Sequence, residues 1–225
     1  MWFPGHLAFS LLLCLPFIVY MKRERALALS FLGVFALLPD YIHLGDLRGF
    51  SHSFLGLGAM LLMFLLPLII AFRPRLALIL LAITAAASHL LADTYIGTVT
   101  PFYPWDDTWL QVHAFNSAFD IRTEVVLFGV AAIAVTALRP LEALRNIDDY
   151  DVRERGALIV TSALVIAMAG LQAVYFLIVS QGPGLDLFRS LLLAAFAVSV
   201  LFSSVFFIKT LVKKQHSKSI SIVVK

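Results

Sequence analysis

The chain has few of the residues that stabilise secreted domains or build thiolate metal clusters. Cys14 is its only cysteine, which excludes an intramolecular disulfide and a cluster of cysteine ligands. Charged residues make up 14% of the 225 residues, well below the share of about 25% in soluble domains. Hydrophobic residues make up 61%, and the mean hydropathy is +0.94. This composition predicts an integral membrane protein.

The long apolar runs also lack the strict alternation of barrel strands, so the sequence predicts an all-α membrane bundle. Within lipid, a spanning segment must satisfy its backbone hydrogen bonds internally, and a helix does so within one segment. We expect seven transmembrane helices at residues 4–20, 26–43, 52–72, 76–93, 123–138, 157–179 and 187–208.

These helices divide the chain into three parts. Residues 1–122 are expected to form a four-helix membrane core that ends in an outer aromatic loop. Residues 123–208 contribute three further helices with almost no ionisable side chains, which suits a scaffold or a homo-oligomer surface. Residues 209–225 form a basic tail.

Positive charge is scarce in one set of the predicted loops. That set holds only Arg48, Arg122 and Arg189, whereas the other set and the tail hold the remaining 14 of the 17 basic residues. The positive-inside rule then places the N-terminus outside and the C-terminus in the cytoplasm. The expected location is the cell inner (plasma) membrane, as a multi-pass protein. The net charge of +3 follows from this orientation and indicates no nucleic-acid partner.

Against this apolar background, a few ionisable side chains converge at one depth. At 1.5 Å per residue, they lie about 21–32 Å from the inner ends of their helices, near the outer edge of the hydrocarbon. Carboxylates at that depth are costly unless they are paired, protonated or metal-bound. The five side chains come from the first four predicted helices: His6, Asp40, His52, His89 and Asp93.

His89 and Asp93 are four residues apart, so they share one helical face and can direct an imidazole and a carboxylate at one ion. A hydrogen bond between helices is the alternative role for such a histidine. Nitrogen and oxygen ligands without cysteine favour zinc, manganese or iron, and zinc is the first expectation.

The motifs in their order resemble a known family. They are "GH" at 5–6, "LLPD" at 37–40, "RGFSHS" at 48–53 and "HLLAD" at 89–93, followed by "PFYPW". This series is similar to the YdjM-like family of inner-membrane proteins described as metal-dependent hydrolases, and more distantly to zinc phospholipase C and P1 nuclease. The resemblance covers roughly the first 105 residues. It implies a metal site formed by the five converging side chains, with Arg48 nearby.

The chain departs from the family pattern at two positions. Ile42 replaces a second acidic residue, and Leu47 replaces a histidine that commonly precedes the Arg-Gly pair. His43 and Asp46 are the candidates to compensate. Together with Arg48 and His113, they complete the predicted catalytic residues.

The outer loop, residues 94–124, carries several aromatic side chains beside Asp106 and Asp107. An aromatic belt at the membrane interface and a lid that holds an acyl chain both fit this composition. The leading hypothesis is a metal-dependent hydrolase that cleaves a phosphoester of a membrane lipid or lipid-linked substrate at the outer face. An ion-coupled transporter and a haem-binding electron carrier are the alternatives.

The charge asymmetry generates a prediction about topology. Tags at position 1 and in the 94–122 loop should be labelled by a membrane-impermeant reagent on intact cells, and a tag at the C-terminus should not. Accessibility is measured before and after permeabilisation. A 94–122 tag labelled only after permeabilisation would place the predicted site on the cytoplasmic face.

Overall fold

The computed structural model describes residues 1–42, 47–115, 117–179, 204–205 and 207–213. Regular structure in these ranges is helical, apart from isolated β-bridges that join Ile96 to His113 and Val99 to Leu110. The α-helices are α1 (Phe3–Tyr20), α2 (Arg25–Phe35), α3 (Leu47–Ser51), α4 (Phe54–Phe72), α5 (Leu76–Tyr95), α6 (Ala118–Ala137), α7 (Pro140–Asn146) and α8 (Val152–Val179). Two 3₁₀ helices cover Leu38–Ile42 and Ile147–Asp149.

Four helices in the described part of the chain are long and apolar enough to span a membrane: α1, α4, α5 and the Val152–Leu171 part of α8. A fifth span results if α6 and its bent continuation, Glu142–Asp149, are taken together. Only 28% of the α4 span is buried inside the protein, so most of this apolar surface needs a lipid environment. The membrane class is therefore supported, while seven spans and their orientation remain predictions. Most of the predicted helix 187–208 lies outside the described residues.

The predicted helix 26–43 is wrong in its second half. The α-helix ends at Phe35, and the chain continues as the 3₁₀ helix Leu38–Ile42. Pro39 accounts for the break, since proline has no N–H to donate and disfavours the α conformation at the residue before it. At 11 residues α2 is too short to cross a bilayer, and its end delivers Asp40 to the interior of the bundle.

The centre of the bundle is formed by α1, α2 and α5, which pack against one another. Small residues allow close contact between α1 and α5, where the Ser10 and Ser88 hydroxyl groups are 2.5 Å apart. Around this centre, α6 packs on α1, and α8 packs on α2 and α4. The last two turns of α5 thus emerge at the end of the bundle where α1 begins.

Serine caps fix the starts of two outer helices. The Ser53 hydroxyl accepts a hydrogen bond from the Gly56 N–H at the start of α4, and Ser117 does the same for Asp120 in α6. The fifth predicted helix, 123–138, corresponds to α6, and its predicted start is five residues late. Asp120 and Glu124 consequently lie on α6, where both are buried, and not in the outer loop.

The opposite end of the bundle is closed by ion pairs. Arg75 lies 2.8 Å from the buried Glu24, and Arg23 lies 3.0 Å from Glu154. Burial raises the pKa of Glu24, and the Arg75 guanidinium acts in the opposite direction. These contacts tie the connection between α1 and α2 to the starts of α5 and α8.

The corner between α3 and α4 generates a prediction. A Cβ atom on Gly56 would lie 1.8 Å from the Phe50 carbonyl oxygen, whereas nothing lies within 4 Å of a Cβ on Gly58. Gly56→Ala should therefore force the corner open and lower the midpoint of thermal unfolding in detergent by about 5 °C or more. Gly58→Ala, the matched control on the same helix, should leave the midpoint unchanged or raise it slightly. Equal midpoints for the two variants would contradict the close approach.

Candidate metal centre

The structure brings together the five side chains that the sequence places at one depth. His6 lies in the first turn and a half of α1, and Asp40 lies in the 3₁₀ helix after α2. His52 lies in the turn between α3 and α4, and His89 and Asp93 lie near the end of α5. Asp40 is 8% exposed and the other four are at most 3% exposed. The cluster is thus enclosed, and its most open side is at Asp40.

Within the cluster, the imidazole Nε2 atoms face carboxylate oxygens. The Nε2 atom of His52 is 3.1 Å from Oδ2 of Asp93 and 3.5 Å from Oδ1 of Asp40. The Nε2 atom of His89 is 3.5 Å from the same Asp40 oxygen and 3.6 Å from the same Asp93 oxygen. His6 approaches from the other side, with its Nε2 atom 3.2 Å from Oδ1 of Asp93.

Hydrogen bonds at Nδ1 orient two of these rings. The Nδ1 atom of His89 is 2.8 Å from the Ala36 carbonyl oxygen, and Nδ1 of His52 is 3.2 Å from the Arg48 carbonyl. A carbonyl only accepts, so Nδ1 of His89 is the donor, and a neutral His89 ring then carries a lone pair on Nε2. Nδ1 of His52 also lies 2.9 Å from the Ser51 hydroxyl, which can donate or accept, so this ring has two partners on its Nδ1 side. Histidine ligands of metal ions in proteins are oriented in this way.

With neutral rings, this arrangement brings lone pairs together unless a proton or a metal cation lies between them. Among the described residues the buried His89 Nε2 atom has no hydrogen-bond partner, and the oxygens nearest to it belong to two carboxylates. The α-amino group of Met1 lies 3.3 Å from Oδ1 of Asp93, and a single ammonium offsets at most one carboxylate charge. The remaining charge and the facing lone pairs suit a bound cation.

Two overlapping groups have the composition and spacing of a metal site: His6, His89 and Asp93, and Asp40, His52 and His89. The ligand atoms of each group lie within 4.8 Å of one another. Ligands of a tetrahedral zinc ion are about 3.3–3.6 Å apart, given bond lengths of about 2.0–2.2 Å. The four separations between the Nε2 atoms of His52 and His89 and the Asp40 and Asp93 oxygens, 3.1–3.6 Å, are close to this range.

His6 differs from the other two histidines of the cluster. Its ring stacks on the His89 ring, with the ring centroids 3.8 Å apart and an angle of 8° between the planes. Its Nδ1 atom is buried and has no hydrogen-bond partner among the described residues. The orientation of this ring therefore depends on packing and on where α1 begins.

The other predicted catalytic residues are not gathered in the cluster. Arg48 lies on α3, one helical turn before His52, and is linked to that ring through its carbonyl. His113 stacks on Phe119 at 3.9 Å, and no described contact joins it to the five clustered side chains. His43 and Asp46 lie outside the described residues.

The outer loop is bound to the segment that carries His52. Thr100 donates from its N–H to the His52 carbonyl at 3.2 Å and from its hydroxyl to the Gly49 carbonyl at 2.7 Å. Phe54 donates from its N–H to the Pro101 carbonyl at 3.0 Å. Beyond these bonds, Trp105 and Trp109 are 79% and 59% exposed. The base of the loop thus serves as a strap for the site, while its tip exposes aromatic surface.

Sequence reasoning did not identify the groups that orient the ligands. The Ala36 and Arg48 carbonyls are backbone atoms, so no residue type marks them.

Comparison with known proteins identifies no relative, because no family model, curated protein or solved structure matches the chain. The assignment of function therefore rests on the geometry of the cluster.

The cluster generates a prediction about metal content. Asp93→Asn keeps the size and hydrogen-bonding capacity of the side chain but removes its charge, and His89→Ala removes one imidazole. Each should lower the bound divalent metal of detergent-purified protein at least about tenfold, measured by elemental analysis, without loss of expression. Thr84→Ala, lower on the same helix, is the control and should keep the wild-type content. Wild-type metal content in both ligand variants would show that the pair is an interhelical hydrogen bond.

Proposed function

We propose that this protein is a membrane-embedded, metal-dependent hydrolase. Its substrate is a phosphoester of a lipid or of a lipid-linked molecule at the extracytoplasmic face of the plasma membrane. The observation that carries the proposal is the enclosed cluster in which backbone carbonyls hold the His52 and His89 rings with Nε2 towards two carboxylates.

The cluster is best described as one ion site with a neighbouring histidine. His89 belongs to both groups of ligand atoms, but its single Nε2 lone pair can serve only one ion. Asp40, His52, His89 and Asp93 are then the candidate ligands, and His6 contacts the other oxygen of Asp93. Three of the four suffice for a catalytic zinc ion, which keeps its fourth position open for water. Two nitrogen and two oxygen ligands at these separations favour zinc.

Hydrolysis follows from the chemistry of such a site. A divalent ion bound by these side chains would act as a Lewis acid on an ester oxygen and would lower the pKa of a water in its open position. The protein excludes bulk water by burying the ligands, and it leaves Asp40 as the most exposed of them. A substrate therefore approaches past Asp40.

Arg48 is the proposed phosphate-binding residue. Its Nε atom is buried without a hydrogen-bond partner among the described residues, and its carbonyl orients His52. A guanidinium presents parallel N–H donors that match two phosphate oxygens. A phosphoester is therefore favoured over a carboxylic ester, in agreement with the resemblance of the motifs to enzymes that cleave phosphodiesters.

The surroundings of the site favour an amphiphilic substrate. Phe54 and Phe102 form an edge-to-face pair with ring centroids 5.8 Å apart, and both are more than half exposed. Phe54 follows His52 by two residues, so this apolar surface borders the ligand segment. An acyl chain can pack there while its headgroup reaches the ion.

The geometry favours a hydrolase over the two alternatives. Carboxylate oxygens stand between the Nε2 atoms of His52 and His89, where a haem would need an apolar slot. All five clustered side chains lie at one end of the bundle, whereas the sites of ion-coupled transporters usually lie near the midplane.

Substitution of Arg48 tests the phosphate-binding role. Arg48→Lys keeps the charge but loses the two parallel donors, so hydrolysis should fall about tenfold or more while the metal content stays at the wild-type level. Release of phosphate-containing product from phospholipid vesicles, and turnover of a chromogenic phosphodiester, measure the activity. The control is Arg122→Lys, at an exposed arginine on α6, which should keep full activity. Joint loss of metal and folding in Arg48→Lys would assign Arg48 a structural role instead.

A further inference from the structure

Glu124 is a buried carboxylate on α6, and the residues that follow it on this helix are almost all apolar. It is 1% exposed, and a second buried carboxylate, Asp120, lies one turn earlier on the same helix. Burial of such a group is expensive unless its contacts compensate for the lost hydration. Glu124 takes no part in the ligand set, so its position needs a separate explanation.

The principal contact of Glu124 is with the beginning of α1. Its Oε1 atom accepts a hydrogen bond from the Trp2 backbone N–H at 2.5 Å. Trp2 immediately precedes α1, and its own side chain does not cap the helix. The Trp2 carbonyl accepts from the His6 N–H at 3.1 Å, which is the first hydrogen bond of the helical ladder. Glu124 thus holds the residue from which the turn carrying His6 starts.

Gly5 makes this contact sterically feasible. A Cβ atom at position 5 would lie 2.9 Å from Cδ of Glu124 and 2.5 Å from Cγ of Met1. Pro4 also suits the first turn, because the N–H that it lacks would have no partner within the helix there. The motif "PGH" therefore combines a helix start, a gap for a carboxylate and a cluster histidine in consecutive residues.

His6 depends on this arrangement more than the other two clustered histidines do. Carbonyl groups hold Nδ1 of His52 and of His89, whereas Nδ1 of His6 has no hydrogen-bond partner among the described residues. The contact between Nε2 of His6 and Oδ1 of Asp93, at 3.2 Å, is therefore set by the start of α1.

We propose that Glu124 is a positioning residue for the metal centre. By accepting from the Trp2 N–H it fixes the first turn of α1, and it thereby places His6 against Asp93. The role rests on the metal site of the proposed function, but it does not depend on which substrate is hydrolysed. Glu124 thus acts on the position of a neighbouring side chain and is not itself a metal ligand.

Cobalt(II) bound to the full-length protein in detergent is the probe, because its visible spectrum reports ligand number and geometry. Glu124→Met replaces the acceptor with an apolar group of similar length and should weaken cobalt binding about tenfold and change the visible bands. Glu124→Gln keeps an acceptor oxygen for the Trp2 N–H and should restore both the affinity and the spectrum. Glu142→Met, at an exposed glutamate on α7, is the matched control and should equal the wild type.

Several results would overturn the proposal. A wild-type spectrum and affinity in Glu124→Met would leave Glu124 without influence on the site. Equal losses in Glu124→Met and Glu124→Gln would show that charge matters and the hydrogen-bond acceptor does not.

Folding defects are separated by a second variant. Gly5→Ala keeps Glu124 but pushes it away from α1, and it should reproduce the spectral change of Glu124→Met. An unchanged spectrum in folded Gly5→Ala would contradict the proposal. Failure of both variants to fold would make Glu124 a folding residue and overturn the positioning role.

A wild-type protein that binds no cobalt would refute the metal site. The position of His6 would then be tested by a measurement that needs no metal. That measurement records the ring ¹⁵N resonances of histidine-labelled protein. Glu124→Met should shift the resonances of His6 and leave unchanged those of His113, an outer-loop histidine that stacks on Phe119 at the start of α6. Unshifted His6 resonances would overturn the positioning role itself.

Discussion

The cost of burying like charges and facing lone pairs is the constraint on which this end of the protein depends. Two carboxylates and three imidazoles share a volume with almost no access to water. In a medium of low dielectric constant such a set is stable only when the positions of its protons and cations are defined. The backbone provides part of that definition, because the Ala36 carbonyl accepts from Nδ1 of His89, and the Arg48 carbonyl and the Ser51 hydroxyl both contact Nδ1 of His52.

Irregular backbone at the end of the bundle supplies these carbonyls. The α-helix α2 stops at Phe35, and its C-cap residue, Ala36, then has a carbonyl oxygen free to accept from His89. The short helix α3 ends one residue before His52, whose ring accordingly reaches back to the Arg48 carbonyl. Backbone that leaves a regular helix inside a membrane protein is tolerated where it lines an enclosed site. The ends of α2 and α3 are thus the parts of the backbone that orient the His89 and His52 rings.

Sequence reasoning found the ligand side chains because each one is chemically conspicuous in an apolar chain. His89 and Asp93 were identified by their helical spacing together with their convergence at one depth, and Asp40 by an apolar run too short to cross the bilayer. The end of α2 was missed, since the apolar pattern continues through Leu38 although Pro39 ends the helix. The start of α6 was predicted five residues late, because polar residues precede the apolar run and the helix cap at Ser117 was not recognised. The ring orientations could not be predicted, since they depend on main-chain atoms brought close by tertiary packing.

The position of Glu124 in the sequence also determines when the parts of this site become available during translation. The ligands are complete in the chain at Asp93, the strap that binds the His52 segment follows at Thr100, and the residue that holds the start of α1 comes at 124. A ribosome therefore delivers every group of the metal centre before it begins α8, which packs on α2 from the outside. Because domains generally fold from the N-terminus during synthesis, the cluster can assemble while the remainder of the protein is still being translated.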